Sequence, residues 1–412
     1  MNLAVVSLLA LVVAILVSCF TELNVGILAL AFAWIVGVYL GGMGLDTVLA
    51  GFPVSLFLTL TGVTLLFSQA QLNGTLDRIA HHAVRVCRGN VGLIPVIFFV
   101  LGCGLASVGP GNVSTAALLG PMAMATAARA GIPAFLMIIM VGNGAQAGSL
   151  SPVAPTGIIV NGLMMKIGLG GHEWHNYATN LFAHAFVAFG GYFLFGGLKL
   201  FRFAYTDGSQ EQPELFRFTR GNWITIVVIS ALIIGVLFFK VNVGMGAFLG
   251  AVILAVLGAA DHKEAVKKMP WSVILMVSGV TVLIAMLEKT GGLDLFTALL
   301  ARLATPATIT GVIAFVTGLI SVYSSTSGVV LPAFIPTIPG LIARLGGGDP
   351  ISIATSMNVG AHLVDISPLS TTGALCLAAV GPQENFRSVF NKLLAWGLSM
   401  TVVGAIISYL FF

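Results

Sequence analysis

The chain reads one pattern twice, and the repeats fall where its apolar segments are broken. Residues 62–77 align without a gap to 279–294, sharing Gly62/Gly279, Val63/Val280, Thr64/Thr281, Leu66/Leu283, Gly74/Gly291, Leu76/Leu293 and Asp77/Asp294. Residues 144–157 align in the same way to 360–373. They share Gly144/Gly360, Ala145/Ala361, Ser151/Ser367, Pro152/Pro368, Thr156/Thr372 and Gly157/Gly373. Unrelated windows would share about one identity, so the chain is read as two copies of one structural unit. Whatever the first half builds, the second must build again.

Composition decides the solvent. Charged residues make up 8% of the chain and hydrophobic ones 58%, where a soluble domain carries about 25% charged. Such a chain cannot cover itself with polar surface, so it is read as an integral membrane protein. The net charge of +4 then carries no message about nucleic acid. Cys19, Cys87, Cys103 and Cys376 lack metal-type or paired spacing and read as packing residues. The apolar start has no basic leader and no cleavage site, so it reads as a first span.

With roughly 20 residues needed per crossing, spans are expected near 2–19, 24–41, 52–71, 133–165, 179–201, 222–239, 243–260, 271–288, 351–380 and 388–411. Two further apolar regions, 91–129 and 305–344, are each interrupted halfway, at Ser107–Thr115 and at Ser321–Gly328. They read as re-entrant hairpins of two half-length helices, tolerable only where protein or a water-filled cavity covers the tip. The fourth and ninth spans are also interrupted, at Gly148–Pro155 and Asp365–Thr372. Paired interruptions in corresponding places of two halves point to a binding site at the bilayer midplane.

Each half then crosses an odd number of times, so the halves are expected to be inverted. Placing both termini outside leaves only Lys166, Lys240, Lys289, Arg302 and Arg344 on the outer side, with every other Lys and Arg inside, as the positive-inside rule favours. Residues 76–88 place Leu76, Ile79, Ala80, Ala83, Val84 and Cys87 on one face and a basic polar set on the other. They read as a helix lying on the inner membrane surface, with His81 and His82 on its wet side. Residues 293–303 hold the matching place. The expected organisation is 1–75 and 222–292 as scaffold, 76–203 and 293–412 as arm helix, hairpin and transport spans, and 204–221 as a cytoplasmic linker.

The tips carry the chemistry. Ser107 faces Ser321, Gly111 faces Ser325 and Asn112 faces Thr326 when the tips are aligned. Hydroxyl, amide and freed carbonyl oxygens suit a sodium ion, while the N-termini of half-helices suit an anion. The blander reading is that these hydroxyls bond back to their own helices; two matching tips and two matching breaks favour a site. No Lys or Arg falls in the tips or breaks, so an anion there would be neutralised by dipoles, hydroxyls and co-bound cations. Asp365 is the one carboxylate in a motif, with His362 nearby and Ser149 as its repeat partner. It is open between coordinating a cation and structural hydrogen bonding. His184 reads as an ordinary packed histidine.

On these residues the chain resembles the divalent anion/sodium symporters of the ion transporter superfamily, most of all the MatC-type dicarboxylate (malonate) carriers. Members carry a Ser-Asn-Thr triplet at each tip; here the places read Gly111-Asn112-Val113 and Ser325-Thr326-Ser327, and the turns of the broken spans read Ala154-Pro155-Thr156-Gly157 and Ser370-Thr371-Thr372-Gly373. The resemblance implies an all-α polytopic protein of the inner (plasma) membrane with two inverted repeats, working as a dimeric elevator. It implies sodium-coupled uptake of a small dicarboxylate, with Na+ as the coupling ion and no other cofactor. Substrate contacts are expected from Asn112, Val113, Ser114, Pro155, Thr156, Ser325, Thr326, Ser327, Thr371 and Thr372. Sodium contacts are expected from Ser107, Gly111, Asn112, Gly148 and Ser151 in one half, and from Ser321, Ser325, Thr326, Val364 and Ser367 in the other. A cation/proton antiporter, which would use Asp365 with His362, and the membrane subunit of a permease with a soluble binding protein stay open. A hydrolase does not fit, since no base neighbours the tip serines.

Overall fold

The computed structural model describes residues 2–21, 23–84, 90–204, 217–381 and 383–412, and the regular elements among them are helical. The first half runs α1 (Leu3–Phe20), α2 (Val25–Trp34, continued by a π-helical stretch Ile35–Leu40), α3 (Val54–Leu72), α4 (Thr75–Val84), α5 (Leu93–Val108), α6 (Gly111–Ala130), α7 (Ala134–Ala147), α8 (Pro155–Lys166) and α9 (Glu173–Leu194). The second half follows the same order. It runs α10 (Arg220–Phe239), α11 (Val243–Val256), α12 (Trp271–Thr290), α13 (Gly292–Ala301), α14 (Ile309–Ser321), the composite α15 (Thr326–Leu345), α16 (Pro350–Leu363), α17 (Thr371–Ala378) and α18 (Phe386–Phe411). Short helices Leu45–Leu49 and His262–Lys268 precede α3 and α12. By length and composition α3, α12, α15 and α18 are each able to cross a membrane. Asparagine starts several helices by accepting an otherwise unpaired N–H, as Asn24 does from Gly26 and Asn242 from Met245.

The shared pair Gly62 and Gly279 in the first matched window is explained by packing across the halves. Helix α2 lies on α12 and α11 lies on α3. A Cβ on Gly279 would fall 2.0 Å from the Gly26 carbonyl oxygen, and one on Gly62 would fall 2.5 Å from that of Gly244. Backbones therefore touch directly, the close approach that small residues give membrane helices. Gly279→Ala is expected to lower the melting temperature of the purified protein, since overpacking costs about 1–3 kcal/mol and here meets backbone rather than a yielding side chain. Gly190→Ala on α9, where nothing lies within 4 Å, should leave melting unchanged.

The hairpin arms differ from the expected half-length pairs. Helix α5 spans 16 residues but α6 spans 20, because the helix resumes at Gly111. Asn112 to Thr115 thus form the first turn of α6 rather than a non-helical tip. In the second hairpin α14 ends at Ser321, and α15 begins π-helical over Thr326–Val330 and passes through a 3-10 turn at Ile335–Thr337. Pro332, Pro336 and Pro339 each lack a backbone donor, which breaks that long arm into pieces.

The amphipathic helix expected over 76–88 is described as α4 up to Val84; its remainder, with Arg85, Cys87 and Arg88, lies outside the described residues. So does 205–216, most of the expected linker. The chain re-enters at Arg217, whose carbonyl accepts from Arg78 Nε at 2.9 Å, and Thr219 with Asn222 forms a capping box that starts α10.

Candidate functional site

Local sequence turns the chain at four points that meet. Gly109 and Gly111 flank Pro110 with φ of +142° and +78°, conformations that only glycine adopts at little cost, and they reverse the chain from α5 into α6. At the second tip Ser325 does the work, its hydroxyl accepting from Gly328 N at 3.1 Å to cap α15. Between α7 and α8 the chain folds so tightly that a Cβ on Gly157 would sit 2.0 Å from the Ser151 carbonyl oxygen; between α16 and α17, Gly373 meets the Ser367 carbonyl oxygen at the same 2.0 Å. These shared glycines mark backbone folded on itself.

The N-termini of α6, α8, α15 and α17 consequently surround two cavities. One is small, 240 Å³, and is lined by the first turn of α17, by Tyr323 to Ser327, and by Asn112, Val113, His362 and Asp365. The other, of 120 Å³, holds Gly111 to Ser114, Pro155 and Thr156 against the α3 side chains Phe67 and Gln71. Asn112, Val113 and Ser327 line both. Helix N-termini carry unpaired N–H groups and a partial positive charge, so the three at each cavity give it an electrostatic preference for negative charge.

A hydrogen-bonded chain links the tips behind these cavities. Asn112 Nδ2 donates to Gln146 Oε1 at 3.0 Å, and Gln146 Nε2 donates to Asp365 Oδ2 at 3.1 Å and Thr372 Oγ1 at 3.2 Å. Thr326 Oγ1 donates to Asp365 Oδ1 at 2.8 Å and lies 2.6 Å from Ser321 Oγ. Ser370 Oγ donates to the Asp365 carbonyl oxygen. Asp365 is 8% exposed and Gln146 fully buried. Among the described residues no basic side chain is bonded to the carboxylate, whose partners Gln146 and Thr326 are neutral.

The ten expected substrate residues all line one or other cavity. Of the expected sodium set, Gly111, Asn112, Ser325 and Thr326 line them too. Ser107, Gly148, Ser151, Ser321, Val364 and Ser367 stand behind. The Ser107 hydroxyl donates to the Cys103 carbonyl oxygen at 2.6 Å and lies 2.9 Å from Tyr177 Oη, while Gly148 packs against Ser107 N. Ser151 and Ser367 accept from Val153 N and Leu369 N inside their turns. His184 is buried with Nδ1 2.9 Å from Asn143 Oδ1. Sequence reasoning missed Gln146. It lies in a matched window, but its repeat partner is His362, so an identity comparison passes over it.

Residues 1–149 match the family described as the N-terminus of the dicarboxylate carrier protein MatC, so the resemblance to MatC-type carriers holds for this part of the chain. No curated protein matches the chain. Among solved structures it resembles the Alcanivorax borkumensis YdaH transporter, at 18% identity and a TM-score of 0.62, covering 88% of this chain and 86% of that one. It also resembles Neisseria gonorrhoeae MtrF, described with a class of antimetabolite efflux pumps, at 13% identity and a TM-score of 0.57, covering 88% and 82%. At these identities the likeness is one of fold. The chain is a multi-pass membrane protein that shares the fold of these solved transporters, and its residues 1–149 are similar to the N-terminus of a dicarboxylate carrier.

Proposed function

We propose that the protein is a secondary transporter coupling sodium to the uptake of a small dicarboxylate such as malonate or a C4-dicarboxylate. The observation that carries this reading is the meeting of three helix N-termini, those of α6, α15 and α17, around a cavity that also contains a buried carboxylate, Asp365, with the N-terminus of α8 at the adjoining cavity. The N-termini favour an anion and the carboxylate opposes one. A cation bound at Asp365, with oxygens from Thr326, Ser321 and the Ala361 carbonyl, reconciles them. A second sodium would sit with Ser107, Gly111, Asn112, Gly148 and Ser151. Cation and anion then load together, which is symport.

Movement would follow the elevator scheme, with α1–α3 and α10–α12 as static scaffold of a dimer in the inner membrane, the halves inverted and both termini outside. Packing supports one state of it. Helices α8 and α15 pack on each other and on α3 and α12, whereas α6 and α17 pack on each other and on α7. The site is thus covered by scaffold on the α8 and α15 side. Helix α6 ends at Arg129 and Ala130, and α17 leads along the chain to Arg387 at the start of α18; the orientation places both arginines inside, so this state is inward-facing. His362 lines the cavity beside Asp365, which favours proton coupling as the second reading.

Uptake into proteoliposomes decides between them. Malonate, succinate, citrate and sulfate are offered with sodium or choline outside, with and without a pH gradient. The reading expects dicarboxylate uptake that needs sodium and ignores the pH gradient; equal uptake in choline at fixed pH sinks it.

A further inference from the structure

We propose that Lys268 captures the anion at the cytoplasmic mouth of the site, a charge lent by the static part of the protein to the moving one; this rests on the dicarboxylate reading above. The tips and breaks contain no basic residue, yet Lys268, far from them in sequence, lines the same 120 Å³ cavity as Asn112, Ser114 and Thr156. It stands where the first turns of α6 and α8 face α3.

The lysine is held on a rigid mount. Asp261 caps the helix His262–Lys268, accepting from Lys263 N at 2.9 Å and Glu264 N at 3.2 Å. The Trp271 indole N–H, at the start of α12, donates to the Val266 carbonyl oxygen at 2.8 Å, and the short helix packs on α3. Its neighbour Lys267 is paired with Glu264 at 2.6 Å, while Lys268 has no ion pair among the described residues. A full ammonium group at the mouth adds to N-termini that each offer about half a charge, and it concentrates anions locally.

The two mouths are not alike. Pro53 precedes α3 as Pro270 precedes α12, and two residues before Pro53 the chain has Gly51 where the other half has Lys268. The crevice lined by Gly51 and Pro53 does contain Lys166, but Glu173 lines it as well. Anion capture is therefore stronger at the Lys268 mouth.

The test compares wild type with Lys268→Gln, Lys268→Glu and Lys268→Arg in inside-out and right-side-out vesicles. Malonate flux is measured at fixed sodium, with ionic strength set by choline chloride. Lys268→Gln should raise KM for malonate presented from the cytoplasmic face about two- to fivefold at low salt. Lys268→Glu should raise it more and Lys268→Arg should restore it. The difference should vanish near 1 M salt, where screening acts over about 3 Å, and half-saturation by sodium should not move. Wild-type KM on both faces in the Gln and Glu variants overturns the proposal, as does a shift that ignores salt and is not rescued by Arg. A salt-sensitive shift confined to the opposite face upholds the capture role and reverses the orientation. A wild type that moves no dicarboxylate fails the functional reading itself, an outcome distinct from a lysine without effect.

Discussion

Asp365→Asn is expected to abolish sodium-driven accumulation of the anion while leaving the protein folded. Asparagine has nearly the same shape and still offers an oxygen to Thr326, so the hydrogen bond seen at 2.8 Å can persist. What is lost is the charge that, in the proposed symport, would face a cation. Breaking a buried ion pair by removing one partner costs about 3–5 kcal/mol, which lowers sodium affinity at least roughly 100-fold. A sodium titration of malonate uptake, with a melting curve as control, reads this directly. A variant that melts like wild type and keeps its half-saturating sodium concentration would show that Asp365 only holds its neighbours in place.

Gln146→Ala is expected to damage anion and sodium binding together. Its amide accepts from Asn112 at the first tip and donates to Asp365 and Thr372 beside the second. Removing it leaves a buried carboxylate with one donor fewer and frees Asn112 from its fixed orientation. A hydrogen bond to a charged group contributes about 1.5–3 kcal/mol, so apparent affinities should fall roughly 10- to 150-fold. Coupling between two ligands is reciprocal: in wild type, sodium should tighten malonate binding by the same factor as malonate tightens sodium binding. In Gln146→Ala both factors should shrink together. Equilibrium binding to the purified protein measures all four affinities, and an unchanged coupling factor would remove Gln146 from the linkage.

Much of this site could be read before any coordinates. Asn112 and Thr326 were found because two apolar segments are broken alike, and breaks at membrane depth are tolerated only around a cavity. Gly62 and Gly279 were found as matches, although their reason, contact between backbones of opposite halves, needs the three-dimensional packing. Pattern failed in three places, each for a physical cause. Asn112 to Thr115 look like a loop because polar residues also suit the first turn of a helix, where free N–H groups want partners. Gln146 was invisible because the halves differ there, with glutamine in one and histidine in the other. Lys268 could not be found because proximity to the tips is created by the packing of a distant short helix on α3. For the same reason the bond between Ser107 and Tyr177 on α9, which occupies an expected sodium ligand, has no trace in local sequence.

The central claim is that anion and cation share one site and move together. Simultaneous fluxes of labelled sodium and labelled malonate in proteoliposomes test it most directly, with an outward sodium gradient set against an inward malonate gradient. The account predicts that malonate leaves with sodium once the sodium gradient outweighs its own, and that the two fluxes reverse at the same point. Malonate that always runs down its own gradient, whatever the sodium does, would contradict it.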